Sequence, residues 1–479
     1  MVRMIHLLQK PHFSNLVENM FAYIVRCDDF IEISSSPLTE HLFCDMINYT
    51  KEHLFCFFGG AIMGQVYMCI DLKSFYASVE CVARGYDPFK VPLVVADPTR
   101  GDGAITLAIS PALKEMGVKN RCRIFEIPKH IQYEIAMPRM RKYIEVSAQI
   151  YGIYLQYISP DDIHVYSIDE VFIDATPYLR TYNCKAKDFA KLLMNAVMEK
   201  TGICATAGIG TNLYLAKIAM DIVAKHVPEH IGILTEELYR KCLWKHQPLT
   251  DFWNVGRGTT ARLAKYGVYD MKGITELPEE LLYKEFGIKA EFLIDHAWGR
   301  EPCTMEQIHN YKGKSRSLSN SQILFEDYNV DNARIVMKEM VENLVLELVE
   351  ENLYAKGISL FIRYSKDCIP ATGGAMKLTQ TTCSIKKIQA AFDKLYIDKV
   401  KIGYGIRQLG IALTELTYEP DMQLSFFDDP EDVEKEKQME VAMVGIRNKF
   451  GKNALLKGFN LFDKATGIKR NTMVGGHNG

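Results

Sequence analysis

The sequence predicts an α+β protein of several domains, and three observations carry that reading. The chain has 479 residues, too many for a single hydrophobic core. Between Val66 and residue 234, short apolar runs alternate with stretches of 3-to-4 apolar spacing, the pattern of strands and helices folded together. Beyond residue 312 the strand pattern returns after a purely helical interval, so a second, smaller α+β domain is expected.

The elements follow in order. Residues 1–65 show no clear period and carry no assigned role. The stretch "LFCFFGGAIMGQVYMCI" (54–70) is apolar, but it is shorter than the ~20 residues a membrane span needs and holds three glycines and Gln65. It reads as a strand entering a core, so no membrane association is expected. No signal-peptide pattern is seen, and the cytoplasm is the expected location. "VYMCID" is a strand ending on Asp71, and "FYASVECVARG" a helix with Phe75, Val79 and Val82 on one side. "VPLVVAD" is a second strand, followed by the loop "PTRGDG" and a helix around Ser110–Met116. Residues 139–158 form a long amphipathic helix with Ile144, Ala148, Tyr151, Leu155 and Ile158 on one face. "IHVYS" and "VFIDAT" flank Asp169 and Glu170, which places the two acids at or near a hairpin tip. "ICATAGIGTN" is a strand and "LYLAKIAMDIVAKH" a helix. A helical region follows, residues 301–312 read as a linker, and "GISLFIRYS" and "QLGIALTEL" alternate as strands, with helical stretches before and after the first. After Pro420 the chain is polar and reads as a loop and then a short helix.

Bulk composition excludes little. Hydrophobic content of 48% and charged content of 24% suit a soluble globular protein. The net charge of −2 gives no global basic field, though charge can be segregated locally. Twelve cysteines are scattered singly without metal spacing, which fits reduced thiols of a cytosolic protein.

The chemistry concentrates in acids. Asp169 and Glu170 stand side by side between strand-forming residues, where two carboxylates repel each other and resist desolvation. With Asp71 ending a neighbouring strand, they would form an acidic cluster able to bind hard divalent cations. Read alone, the pair fits either a solvated hairpin tip or such a cation site.

"CIDLKSFYASVE", "YSIDEVFID" and "AGIGTNLYLAKIA" occur in that order, and together they resemble the Y-family, or translesion, DNA polymerases. The resemblance runs from about Val66 to Glu419. "DLKSFYASVE" is most similar to the UV-protection branch (ImpB/MucB/SamB and UvrX-like proteins), in which the second residue after the first catalytic aspartate need not be acidic; here it is Lys73. The closing "GGHNG" is also similar to that branch.

The resemblance implies a right-hand polymerase. Its palm, a mixed sheet with helices, would span 66–74 and 140–234, the small fingers 75–139 and a helix-hairpin-helix thumb 235–300. A linker at 301–312 would lead to an α+β little finger at 313–420, and residues 421–479 would be a C-terminal tail. It implies template-directed addition of dNTPs to a primer 3′-hydroxyl, with bypass of damaged template bases. Two Mg²⁺ ions would be held by Asp71, Asp169, Glu170 and the Leu72 carbonyl. Phe75, Tyr76, Ser110, Lys114 and Lys217 would contact the dNTP, with Tyr76 excluding a 2′-hydroxyl and Lys217 gripping the triphosphate. The fingers depart from the wider family: "SPALK" offers Pro111 and Lys114 where others show a tyrosine and an arginine.

DNA contacts are expected from Gly256 and Gly258 in "NVGRGTTARL", which by itself also fits a plain helix-linking turn, and from Lys314, Arg316 and Arg363. Charge in the little finger is segregated: residues 326–351 hold eight acids and two bases, whereas 356–407 hold ten bases and three acids. An acidic helix facing solvent and a basic sheet face on a duplex would explain both. "QLSFF" (423–427) resembles the bacterial sliding-clamp-binding peptide, with Gln423, Leu424, Phe426 and Phe427 as anchors; tucking back onto the little finger is the other reading. The partners implied are primer–template DNA, dNTPs and the β sliding clamp, with a recombinase filament as a further candidate, and the protein reads as a monomer. A palm-type nucleotide cyclase would have no use for a hairpin-helix thumb or "QLSFF". A catalytically silent DNA- or clamp-binding regulator is opposed by the retained carboxylates.

Overall fold

The computed structural model describes residues 64–311, 313, 316–365, 368–418 and 430–479. Residues 1–63, Lys314 and the whole of 423–427 therefore lie outside the described residues. The chain divides between residues 311 and 312 into two bodies.

The first body is built on β1 (Tyr67–Leu72), whose residues are almost all buried because both faces of the strand are covered. After β1 come α1 (Phe75–Ala83), β2 (Leu93–Val95), β3 (Ala108–Ile109), α2 (Pro111–Glu115), β4 (Glu134–Ala136) and α3 (Met140–Tyr154). The hairpin β5 (Ile163–Val165) and β6 (Glu170–Asp174) is followed by α4 (Thr176–Thr181), α5 (Ala186–Thr201), β7 (Ala205–Gly210), α6 (Leu213–Ile218) and β8 (Ile231–Leu234). The main sheet runs β5-β6-β1-β7-β8, antiparallel except for the β7–β8 pair. Its mixed character follows from α6, which carries the chain from β7 across to a parallel neighbour. A second small sheet, β3-β2-β4, closes over Val94, Ile109, Leu113 and Ile127.

Helices α7 (Glu236–Cys242), α8 (Arg257–Ala264), α9 (Met271–Thr275), α10 (Glu279–Phe286) and α11 (Ala290–Trp298) share one core with α6, including Tyr214, Tyr239, Phe252 and Leu263. The expected linker is not featureless. It contains α12 (Met305–Asn310), and Met305 is buried with Tyr67, Cys69 and Phe172. A Thr304–Gln307 capping box starts that helix, so the end of the segment is tied to the main sheet.

The second body holds β9 (Leu318–Tyr328), α13 (Val330–Glu350), β10 (Ala355–Tyr364), β11 (Thr372–Thr382), α14 (Ile385–Lys399), β12 (Ile406–Thr414), α15 (Pro430–Phe450) and α16 (Gly467–Arg470). Its sheet is antiparallel in the order β11-β10-β12-β9. The two edge strands, β9 and β11, escape a hydrophobic reading because "LSNSQILFEDY" and "TGGAMKLTQTT" are largely polar, as edges commonly are.

Two expectations about this body are overturned. The C-terminal segment is not a loop with a short helix: α15 has 21 residues, and Met443 joins the core with α13 and α14. The acidic helix does not simply face solvent either. Glu339 and Glu342 on α13 are each only 3% exposed. Glu339 accepts hydrogen bonds from the backbone N–H groups of Thr466 (2.8 Å) and Gly467 (3.0 Å), from the Thr466 hydroxyl (3.2 Å) and from Asn460 Nδ2 (2.9 Å). Glu342 lies 3.5 Å from both Arg447 and Lys457. Covering by the C-terminal segment supplies four hydrogen bonds to Glu339 and two cations to Glu342, whose Oε2 has no hydrogen-bond partner among the described residues.

Glu440 on α15 is 1% exposed. One of its oxygens accepts from the Ile385 N–H at the start of α14 (2.7 Å), and the other has no hydrogen-bond partner among the described residues. Burial raises its pKa to about 7. The folded state thus favours the protonated acid, and stability falls as pH rises from the ordinary glutamate range through about 7. Glu440→Gln keeps the acceptor for Ile385 and is expected to raise the thermal midpoint of the second body at pH 8, with the gain shrinking by pH 5. Melting curves at the two pH values check this.

Candidate active site

Three strands deliver the acids. The register pairs Asp71 on β1 with Glu170 on β6 and with Thr206 on β7, and the Leu72 N–H donates to the Asp169 carbonyl at 2.9 Å. The expected hairpin therefore exists, with Asp169 in its turn and Glu170 opening β6. Burial raises the Asp71 pKa well above the carboxylate range, and repulsion from Asp169 and Glu170 adds to it. Burial raises Asp169 likewise, against a hydrogen bond from the Ser167 hydroxyl (2.7 Å).

Glu170 behaves differently from its neighbours. Its side chain is buried, with Oε1 accepting from Cys69 Sγ (3.0 Å) and Oε2 from Lys217 Nζ (2.8 Å). Lys217 is 7% exposed and also pairs with Asp221 at 3.0 Å. Burial alone would depress the lysine, but Asp221 and Glu170 together hold its pKa well above the usual value. Among the described residues, no three carboxylate, imidazole or thiol groups converge as a metal cluster. The structure thus brings Asp71 and Asp169 into electrostatic contact and pairs Glu170 with Lys217, so the metal role expected of Glu170 and the triphosphate role expected of Lys217 would each compete with that contact. A hard cation still suits the site: Mg²⁺ takes one or two carboxylates and completes its shell with water and phosphate oxygens. Asp71 and Asp169, whose ionised forms repel in a buried setting, are the oxygen donors such an ion would stabilise.

The Lys217–Glu170 contact depends on how closely α6 lies on the sheet. A Cβ built on Gly208 would come within 2.0 Å of the Ala216 carbonyl oxygen, and one on Gly210 within 2.2 Å of the Ala216 nitrogen. Only glycine at these positions lets helix backbone touch strand backbone. A π-helical turn, Ala219–Val223, follows α6 directly and carries Asp221.

Tyr76 is partly exposed at the start of α1 and stacks on Tyr143 of α3, with ring centroids 4.5 Å apart. Tyr143 donates to Glu80 (2.9 Å), a fully buried acid that also receives two hydrogen bonds from Arg139 (2.9 and 2.8 Å) and one from Arg84. Burial would raise the Glu80 pKa, but these donors outweigh it and lower it. Glu80, Tyr143 and Arg139 were not singled out in the sequence, although the Glu closing "FYASVE" in an otherwise apolar helix was a usable signal.

Two expected dNTP contacts move to structural roles. Phe75 is 2% exposed and belongs to the core. Ser110 is fully buried: its hydroxyl donates to the Val91 carbonyl (2.8 Å) and accepts from the Leu93 (3.0 Å) and Leu113 (3.3 Å) N–H groups, capping α2. Lys114, in the last turn of α2, is exposed, and it feels Asp71 and Asp169 as attractive and Lys73 and Lys225 as repulsive neighbours.

The glycine hairpin is present, with a different division of labour. Asn254 holds the left-handed conformation (φ 66°), whereas Gly256 is the extended N-cap of α8 (φ −93°), and both Gly256 and Gly258 are exposed with open space beside them. Trp253 precedes the turn, and its indole N–H donates to the Tyr166 hydroxyl at 3.0 Å. In the second body, Arg363 shares a face of β10 with Ser359 and Phe361, opposite the buried Ile358, Leu360 and Ile362. Arg316 lies over the Tyr418 ring at 5.0 Å.

Comparison with known proteins agrees with this architecture. The chain matches the impB/mucB/samB family over residues 70–221 and that family's C-terminal domain over residues 315–426. UvrX of Bacillus subtilis (strain 168), named for UV-damage repair, is 31% identical over 418 residues, which cover 86% of this chain and 97% of UvrX. DNA polymerase IV 2 of the same organism is 28% identical over 419 residues, covering 86% and 98%. A chimeric Y-family DNA polymerase of solved structure shares the fold, with a TM-score of 0.58 at 19% identity over 74% of this chain and all of that one. The five-stranded sheet is thus the palm of a right-hand polymerase, and the sheet of the second body its little finger. The chain belongs to the impB/mucB/samB family, as a UvrX-like member of the Y-family DNA polymerases.

Gly208→Ala puts a methyl group into helix backbone and is expected to destabilise the first body by about 1–3 kcal/mol. It should also reduce activity more than its stability loss alone explains, because α6 carries Lys217 away from Glu170. Denaturant melts alongside activity at a temperature where the variant is folded check both parts.

Proposed function

We propose that the chain adds dNTPs to a primer 3′-hydroxyl on a DNA template and continues past damaged template bases. The observation that carries this reading is the Asp71–Asp169 pair at the end of the central palm strand, where burial raises both carboxyl pKa values and repulsion from Asp169 and Glu170 adds to that of Asp71. Asp71, Asp169, Glu170 and the Leu72 carbonyl would hold Mg²⁺, with Lys217 turning from Glu170 to the triphosphate. When bound, two such ions would stabilise the charge that develops as the 3′-oxygen attacks the α-phosphate and pyrophosphate leaves.

The chain's own groups do the positioning. Tyr76, braced by Tyr143 and Glu80, lies beneath the incoming sugar and leaves no room for a 2′-hydroxyl. Lys114 supplies positive charge from the fingers side. The N–H groups at the start of α8 meet a backbone phosphate without reading the base. Arg363 and Arg316 add phosphate contacts from the little finger, so DNA binding weakens with salt and depends little on sequence. Gln423, Leu424, Phe426 and Phe427 engage a hydrophobic cleft on a sliding clamp, and a recombinase filament remains a candidate partner. Among the described residues, no helix is long and apolar enough to cross a membrane, and action in the cytoplasm as a monomer is part of the reading.

Primer extension with Mg²⁺ on an intact template and on one with an abasic site tests the proposal. Wild type is expected to extend both, and Asp71→Asn neither, while still binding primer–template. Extension by Asp71→Asn at the wild-type rate would remove the site assignment. Tyr76→Ala is expected to incorporate ribonucleotides that wild type rejects, read by extension with rNTPs alone.

A further inference from the structure

In the polymerase reading two separate parts of the first body act on one duplex. The primer 3′-hydroxyl has to reach Asp71 and Asp169 while the start of α8 holds a backbone phosphate. The distance between these parts matters, because a displacement of about 1 Å at the reacting atoms can cost on the order of a hundredfold in rate. Two aromatic side chains join them directly.

Tyr166 leaves β5 by one residue and belongs to the turn that presents Asp169. Its N–H and that of Ser167 both donate to the Glu170 carbonyl (3.0 and 3.1 Å), and the Ser167 hydroxyl donates to Asp169 (2.7 Å), so its backbone is tied to the acids. The Tyr166 ring is 41% exposed and lies 5.9 Å from the Lys217 ammonium. Trp253 is held just as closely to the glycine hairpin. It lies in the turn that the Val255 N–H closes on the Phe252 carbonyl (3.0 Å), beside left-handed Asn254 and three residues before Gly256, the N-cap of α8. The indole N–H donates to the Tyr166 hydroxyl at 3.0 Å, and the two rings meet edge to face with centroids 5.9 Å apart. The indole also meets Phe172 of β6 (5.9 Å) and His296 of α11 (6.0 Å), and His296 stacks on Tyr214 of α6 (4.0 Å). Trp253 thus packs on the palm core around Tyr67 and Cys69 and on the thumb core around Tyr239 and Leu263.

Ring packing alone would hold the two parts together. The hydrogen bond adds direction and a set length. It lies at the surface, where one such bond contributes little to stability, so its main effect is on geometry. We infer that Tyr166 and Trp253 are positioning residues that fix the distance from the phosphate-binding start of α8 to Asp71 and Asp169, and with it the register in which the primer 3′-hydroxyl meets the α-phosphate. The inference rests on the polymerase reading and deepens it by naming what keeps its two DNA-directed parts in step.

The test uses the full chain with Mg²⁺ and primer–template, and reads single-turnover incorporation of one dNTP over a range of concentrations. Tyr166→Phe removes the hydroxyl and keeps the ring. It is expected to lower the maximal rate about three- to tenfold, the scale of one net hydrogen bond. Its dNTP affinity, primer–template affinity and melting midpoint should match wild type. On a template run of identical bases it should raise the share of products one nucleotide short. Trp253→Phe should slow incorporation at least as much, and the double variant should be no slower than Trp253→Phe alone, because either change breaks the same bond. A wild-type maximal rate in Tyr166→Phe overturns the inference. So does a rate loss matched by a lower melting midpoint, which marks a merely structural link, or a loss of dNTP affinity in place of rate, which puts the pair at the nucleotide. If wild type extends no primer on an intact template, the polymerase reading falls, and this inference with it.

Discussion

The palm depends on one close contact, the backbone of α6 against the backbone of β7. Gly208 and Gly210 remove the side chains that would keep the two apart, and the resulting approach carries Lys217 into the sheet. There its ammonium meets Glu170, a carboxylate that would otherwise be buried beside two others. Removing one partner of such a pair leaves an uncompensated charge in a low-dielectric setting, a severe penalty. The arrangement therefore pairs one of three neighbouring acids directly with an ammonium and leaves Asp71 and Asp169 with more distant basic neighbours.

Much of the first body was legible in the sequence for physical reasons that can be named. β1 reads clearly because a central strand with both faces covered is a nearly continuous apolar run, and the acidic hairpin because strand formers flank it on both sides. The glycines of "AGIG" were visible as part of a motif, but that they set the helix–strand distance was not, since spacing along the chain says nothing about spacing between elements. Ser110 illustrates a second limit: a serine before a proline-led helix is both a plausible substrate contact and a good N-cap, and only its three occupied hydrogen bonds decide between them.

The second body was harder to read from its charges. Segregation of acids onto α13 suggested a face in water, yet hydrogen-bond donors from the C-terminal segment surround Glu339, and Arg447 and Lys457 flank Glu342. A carboxylate bound by backbone N–H groups looks the same in sequence as a solvated one. The edge strands were missed because polar and glycine-rich residues suit an unpaired sheet margin better than a core.

The bonding of Glu339 also bears on the order in which the molecule can be made. Its donors come from Asn460, Thr466 and Gly467, more than a hundred residues downstream. During vectorial synthesis the palm-containing body has all of its strands once β8 and the helices through α12 have emerged, and it can close at that point. The little finger cannot. Its sheet can pair, but α13 keeps a bare acid at its centre until residues 460–467 arrive. The little finger therefore matures last, after the body that carries Asp71 and Asp169.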